Sequence, residues 1–107
     1  MAGECADGVG HQEFLKLLAS GTPELVYDKL RQGEALIRDQ WEVQVLCRIL
    51  QKTPVCFITR LELASEIRSM HIGYAQTIEQ ALGSVNLRSG EKVLVIPQGP
   101  MTLPTLG

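Results

Sequence analysis

Aromatic residues are scarce in this chain: two Phe, two Tyr and one Trp in 107 residues. A platform that stacks successive nucleobases needs more rings than that, so a base-stacking nucleic-acid surface is excluded. An excess of one charge is missing too. Ten Lys and Arg against twelve Asp and Glu leave a net −2, which sets up no broad field for nucleic acid or an anionic membrane. No apolar run approaches the roughly 20 residues that a membrane-spanning helix needs. The N-terminus, Met1-Ala-Gly-Glu-Cys-Ala-Asp7, has neither a basic region nor an apolar stretch. No secretory signal is read there, and a cytoplasmic location is the expectation.

Cysteine is few and odd in number. Cys5, Cys47 and Cys56 lie far apart with no Cys-x-x-Cys pair, which argues against a disulfide framework and a structural zinc site. Cys47 falls among apolar residues of a predicted helix and Cys56 inside a predicted strand, so both are expected to be small core residues. His11 and His71, the two histidines, have no ligand spacing between them and are read as structural or surface residues.

What is present suits one small globular domain spanning residues 1–107. Hydrophobic residues make up 45% and charged residues 21%, ordinary proportions for a packed fold. The residues Ala2 to Cys5 resemble the end of a strand, and Asp7-Gly-Val-Gly10 supplies a tight turn. A helix is predicted from Gln12 to Ser20, burying Phe14, Leu17 and Leu18 and ended by Gly21. Thr22-Pro23-Glu24 opens the next helix with a capping hydroxyl, a proline at the first helical position and an acid at the positive end. That helix carries Leu25, Val26 and Leu30 and breaks near Gly33.

The stretch from Asp39 to Thr59 reads as an amphipathic helix turning at Thr53-Pro54 into a strand. Leu46, Ile49 and Leu50 fall at i, i+3 and i+4, with Trp41 and Val45 one turn earlier. The proline stops the helix near Lys52, and Val55 to Ile58 has the apolar density of a strand covered on both faces. A short helix is predicted over Leu63–Ile67, then a loop at His71–Gly73. Thr77 and Gln80 have capping-box spacing before a helix that buries Ile78, Ala81, Leu82 and Val85. Arg88-Ser-Gly90 turns the chain into Val93–Ile96, a second all-apolar strand ended by Pro97. The fold class that follows is α/β: a small domain with a short, mainly parallel sheet of three to four strands flanked by helices.

Two features could carry chemistry. The Asp7-Gly8-Val-Gly10 turn lies between a strand and a helix, where backbone N–H groups can hold an anion, although Gly-x-Gly alone also describes a plain βα turn. Trp41 is the second. Its neighbours Asp39, Gln40, Glu42 and Gln44 make that first helical turn accessible, so it either lines a cleft or anchors packing. Glu62 and Glu66, i and i+4 with Arg60 and Arg68 nearby, read as a solvated face, and Glu4 has no histidine or metal spacing beside it.

Asp39-Gln-Trp-x-x-Gln44 followed by Arg48-Ile-Leu-Gln-Lys52 resembles the C-terminal domain of the nickel-dependent lactate racemase family. Gly3-Glu-Cys-Ala-Asp-Gly-Val-Gly10, Thr77-Ile-Glu-Gln-Ala-Leu82, Lys92-Val-Leu-Val-Ile-Pro97 and Thr102-Leu-Pro104 agree with it in order and spacing, so the resemblance spans nearly the whole chain. It implies a C-terminal domain or fragment of a 2-hydroxy-acid racemase or epimerase that works by hydride transfer to and from a nickel-pincer nucleotide. It also implies an absent N-terminal domain bearing the covalent lysine, the nickel-ligand histidine and the acid–base histidines; neither His11 nor His71 matches those motifs. The implied role for this chain is to close the interdomain cleft with Trp41, Asp7, Gly8 and Gly10. Alone it would bind no cofactor and be catalytically silent, its expected partner a chain carrying the N-terminal racemase domain. The alternative is a non-catalytic binding or oligomerisation module that kept the fold and forms a homo-oligomer.

Overall fold

Among the described residues, five α-helices and two short strands make up the architecture of the computed structural model, which describes residues 3, 5, 7–8, 10–34, 38, 40–103 and 105. Helix α1 spans Gln12–Ala19, and the side chains it buries are Leu15 and Leu18. Phe14 and Leu17, expected inside, are half-buried flanks, because the helical repeat aims residues 15 and 18 along one line into the core. Helix α2, Pro23–Arg31, opens as its sequence requires, with the Leu25 N–H donating to Thr22 Oγ1 at 3.4 Å. It buries Val26 and Leu30, whereas Leu25 lies about 100° round the helix from Val26 and is 57% exposed. Gly33, at φ 72°, takes the chain out of the helix.

Helix α3 runs Gln40–Leu50 and packs against α2 more extensively than any other two elements meet. The residues it presents there are Val43 and Cys47, both fully buried. This corrects the expected face. Leu46 and Leu50 are half-buried at its edges, while Trp41, Val45 and Ile49 form a separate exposed stripe at i, i+4 and i+8. The helix ends at Leu50, with Lys52 and Thr53 N–H groups returning to the Ile49 carbonyl at 2.9 and 2.8 Å.

Strand β1 is Cys56–Ile58, half-buried throughout, so Cys56 is less enclosed than Cys47. A 3-10 turn at Leu61–Leu63 leads into helix α4, Ala64–Ser69. Strand β2, Gly73–Ala75, replaces the end of the loop predicted at His71–Gly73 and pairs parallel with β1, Cys56 opposite Gly73 and Ile58 opposite Ala75. The Gly73 N–H donates to the Val55 carbonyl at 2.8 Å, and a Cβ there would stand 3.3 Å from that oxygen. Tyr74 fastens β2 further: its hydroxyl donates to the Thr59 carbonyl at 3.2 Å, and the Arg68 guanidinium sits 5.2 Å from its ring centre. Of the strand end expected at Ala2–Cys5, Ala2 and Glu4 lie outside the described residues. The Gly3 N–H donates to the Ile58 carbonyl at 3.0 Å, which sets this segment beside β1.

Helix α5, Ile78–Gly83, has the predicted cap, Gln80 N–H to Thr77 Oγ1 at 3.2 Å. The Gln80 side chain closes on the Gln76 N–H at 2.9 Å instead of on Thr77. α5 touches both strands, yet it buries none of the residues expected of it: Ile78, Leu82 and Val85 are exposed and Ala81 is half-buried. Beyond it Val93–Ile96 forms no strand, and its four side chains are 60, 78, 76 and 41% exposed. The expected sheet of three to four strands is thus a sheet of two, because a strand needs a neighbour and these four residues have none among the described residues. The class remains α/β. Its core is one cluster of Leu15, Leu18, Val26, Leu30, Val43, Cys47, Ile67, Met70 and Ile72, with Val55, Phe57 and Tyr74 of the sheet region packed against it.

Candidate functional site: an apolar cavity under Trp41

The helical layer does not close completely over the sheet. Between the N-terminal turn, α1, α3 and the start of β1 lies a cavity of about 530 Å³, within the range of roughly 300–1,000 Å³ typical of small-molecule sites. Cys5 and Gly8 come to it from the turn, Phe14 from α1, and Trp41, Val45, Leu46 and Ile49 from α3. Val55, Phe57, Ile67, Met70 and Ile72 add to the wall, and Glu42 is its single charged member among the described residues. Trp41 is 63% exposed, so its ring stands at the mouth, free to meet something outside the domain.

The structure therefore brings Trp41 and Gly8 to one cavity from opposite ends of the expected site. Asp7 and Gly10 are exposed beside the turn and do not line it. Gly8 and Gly10 adopt φ of 84° and 105°, conformations glycine reaches without strain. The Gly8 N–H donates to the Cys5 carbonyl at 3.0 Å, so that amide serves the turn and not an anion. Of the remaining positions, Asp39 and Glu4 fall outside the described residues, Gln44 is half-buried on α3, and Glu62 and Glu66 line no part of the cavity.

The chemistry of this wall is exclusion of water. Among the described residues it offers one exposed carboxylate and one half-buried thiol in a setting of apolar side chains. Among the described residues no group of three or more His, Cys, Asp or Glu converges to hold a metal ion, so they do not fit a nickel site. Behind the wall, burial and then the Glu24 carboxylate push the Cys47 thiol up to about 11, which leaves it protonated and inert. His71 is structural: its ring Nε2–H donates to the Leu18 carbonyl at 2.9 Å and ties the end of α4 to the end of α1.

Phe14, Phe57, Met70 and Ile72 escaped the sequence reading as lining residues, which puts Phe14 inside a helix face, Phe57 in a strand and Ile72 in a loop, and does not single out Met70. One signal was available. Seven of the eleven residues of α3 are apolar, more than one buried face can take, and the surplus is the Trp41–Val45–Ile49 stripe.

Comparison with known proteins takes in nearly the whole chain. The family model for the lactate racemase C-terminal domain matches residues 1–103. Lactate racemase of Thermoanaerobacterium thermosaccharolyticum is 32% identical over 104 residues, covering 92% of this chain and 24% of that protein. Lactate racemase of Lactiplantibacillus plantarum is 34% identical over 104 residues, with the same two coverages of 92% and 24%. The lactate racemase apoprotein structure from T. thermosaccharolyticum superposes with a TM-score of 0.71 at 30% identity, over 78% of this chain and 21% of that one. The chain thus spans about a quarter of the length of the relatives it matches. No helix among the described residues is long and apolar enough to cross a membrane. Sequence, fold and extent of match agree that the chain belongs to the lactate racemase C-terminal domain family.

Proposed function

We propose that this chain acts as the C-terminal domain of a lactate-racemase-type enzyme that interconverts the two hands of a 2-hydroxy acid. Its task is to close the cleft over a site built by the N-terminal part of such an enzyme. The observation that carries this is the apolar cavity whose mouth is framed by Trp41 and the Gly8 turn. A hydride transfer must be kept from water, and an exposed indole above an apolar wall suits a closing surface. The nickel-pincer nucleotide supplies the hydride-accepting chemistry in the complete enzyme, and its holders belong to the N-terminal part. This chain's own residues shape and dry the cleft. The exposed apolar residues after α5 favour a second reading, a non-catalytic assembly module.

Racemisation tests the first reading. The chain is mixed with the cofactor-loaded N-terminal part of the T. thermosaccharolyticum lactate racemase, and D- and L-lactate are followed by chiral chromatography. The chain alone is expected to be silent and the mixture active, with Trp41→Ala lowering kcat/KM about tenfold, the equivalent of roughly 1.4 kcal/mol. A mixture no faster than the N-terminal part by itself would leave only the assembly module.

A further inference from the structure

The cavity is deeper than a closing surface needs. It runs from an exposed mouth at Trp41, Val45 and Ile49 to a floor of Ile67, Met70 and Ile72, which are 1, 5 and 6% exposed. At about 530 Å³ it has room for far more than the methyl group of lactate. A methyl entering it would leave most of the space unfilled. Water occupies such a space only where polar groups give each molecule two to four partners, and the side chains of this floor are all apolar. A void left empty forfeits the contacts of its whole lining. The cavity therefore suits an occupant that is itself large and apolar.

Charge decides which end of that occupant enters. Among the described residues Glu42 is the single charged group in the lining, and no Lys, Arg or His is part of it. The Gly8 amide is already taken by the Cys5 carbonyl. A carboxylate moving inward would pass a like charge at the mouth and find no cation beyond it. The carboxylate and hydroxyl of a 2-hydroxy acid thus stay outside, toward the rest of the enzyme, and the side chain alone goes in.

We infer that this cavity is the subsite for the side chain of a 2-hydroxy acid whose side chain is bulky and apolar, branched aliphatic or aromatic, and that the enzyme this domain completes prefers such acids to lactate. The subsite presupposes the function proposed above and gives it a substrate class. Phe57 offers a ring for an aromatic side chain to pack on, and Met70 an unbranched thioether that adapts to a branched one.

Trp41 is the one tryptophan of the chain and stands at the mouth, so its fluorescence reports occupancy without a label. The full chain is titrated with phenyllactate, 2-hydroxyisocaproate and lactate. The same three acids are then offered to its mixture with the cofactor-loaded N-terminal part of the T. thermosaccharolyticum lactate racemase. The two bulky acids should change the Trp41 emission at concentrations at least tenfold below any effect of lactate, since one methylene in an apolar pocket is already worth about 10–200-fold. Their kcat/KM in the mixture should exceed that of lactate by at least the same factor. Val45→Phe, which sets a larger side chain at a half-exposed position of the mouth, should weaken their binding at least tenfold with an unchanged circular-dichroism spectrum. Leu25→Asp, at an exposed position of α2 that does not line the cavity, should bind them like the parent. If lactate is racemised and the bulky acids are turned over no faster, or if Val45→Phe binds them as the parent does, the subsite is wrong and the proposed function survives. If the mixture racemises none of the three acids, the proposed function fails and takes the subsite with it.

Discussion

His71 holds a conformation that its residue type does not favour, and substituting it should separate two opposed energies. It follows the last residue of α4's cap at φ 63°, in the left-handed region. Around it the backbone closes a Schellman motif: Ile72 N–H reaches the Ile67 carbonyl at 3.4 Å and His71 N–H reaches the Arg68 carbonyl at 3.1 Å. Glycine is the usual occupant of that position, because a Cβ there costs roughly 1–2 kcal/mol. Histidine offsets the cost through its ring, which donates to Leu18 at 2.9 Å and satisfies a carbonyl at the end of α1. Such a bond contributes about 0.5–1.5 kcal/mol. His71→Ala keeps the strain and loses the bond, so it should destabilise by about 1 kcal/mol. His71→Gly loses the bond but relieves the strain, so it should fall near the parent, within about 0.5 kcal/mol. The gap between the two variants, roughly 1 kcal/mol, corresponds to about 4–8 °C in Tm for a domain of this size. Urea denaturation and calorimetry at one fixed pH measure it. Equal stability of the Ala and Gly variants would refute the strain argument, and an Ala variant as stable as the parent would refute the bond.

Three further outcomes follow from the core. Cys47 is fully buried and its thiol is raised from 9.0 to about 11, whereas Cys5 and Cys56 are half-buried, so a thiol reagent at pH 8 should modify two cysteines in the native protein and the third only after denaturation. Because the unfolded thiol ionises near 9 and the folded one near 11, folding stability should fall as pH rises across that window, and Cys47→Ala should flatten the fall in urea midpoints; an identical pH profile in the two proteins would contradict the shift. Leu18, wholly enclosed between α1 and its neighbours, should cost about 2–5 kcal/mol when truncated to Ala, against about 0.5 kcal/mol or less for the half-exposed Leu25 in the same urea assay.

Local chemistry was legible where a residue acts on its own neighbours. Thr22 with Pro23, Gly33, Pro54 and Thr77 punctuate the chain as their types require. Decisions taken by distant packing were not legible. In α3 seven apolar residues allow several faces, and contact with α2 selects the Val43–Cys47 line over the predicted one. Strand β2 opens on Gly73 and is three residues long, too short to show alternation, and its existence depends on β1 lying alongside. Val93–Ile96 failed in the opposite sense. Its composition is that of a strand, but pairing is a property of two segments and the second is missing among the described residues. The site divides likewise. Trp41 and Gly8 were visible by residue type and position, whereas Phe57, Met70 and Ile72 became lining only once the helices were placed.

The order of the elements along the chain has a consequence for biosynthesis. Helices α2 and α3, neighbours in sequence with the most extensive contact in the fold, leave the ribosome early and can pair before either strand has been made. The parallel pair must wait for α4 to emerge between its strands. Residues 84–103, which bear the apolar segment that the domain cannot cover, follow all five helices out of the exit tunnel. A nascent domain can therefore finish its own core before its most exposed apolar segment has emerged.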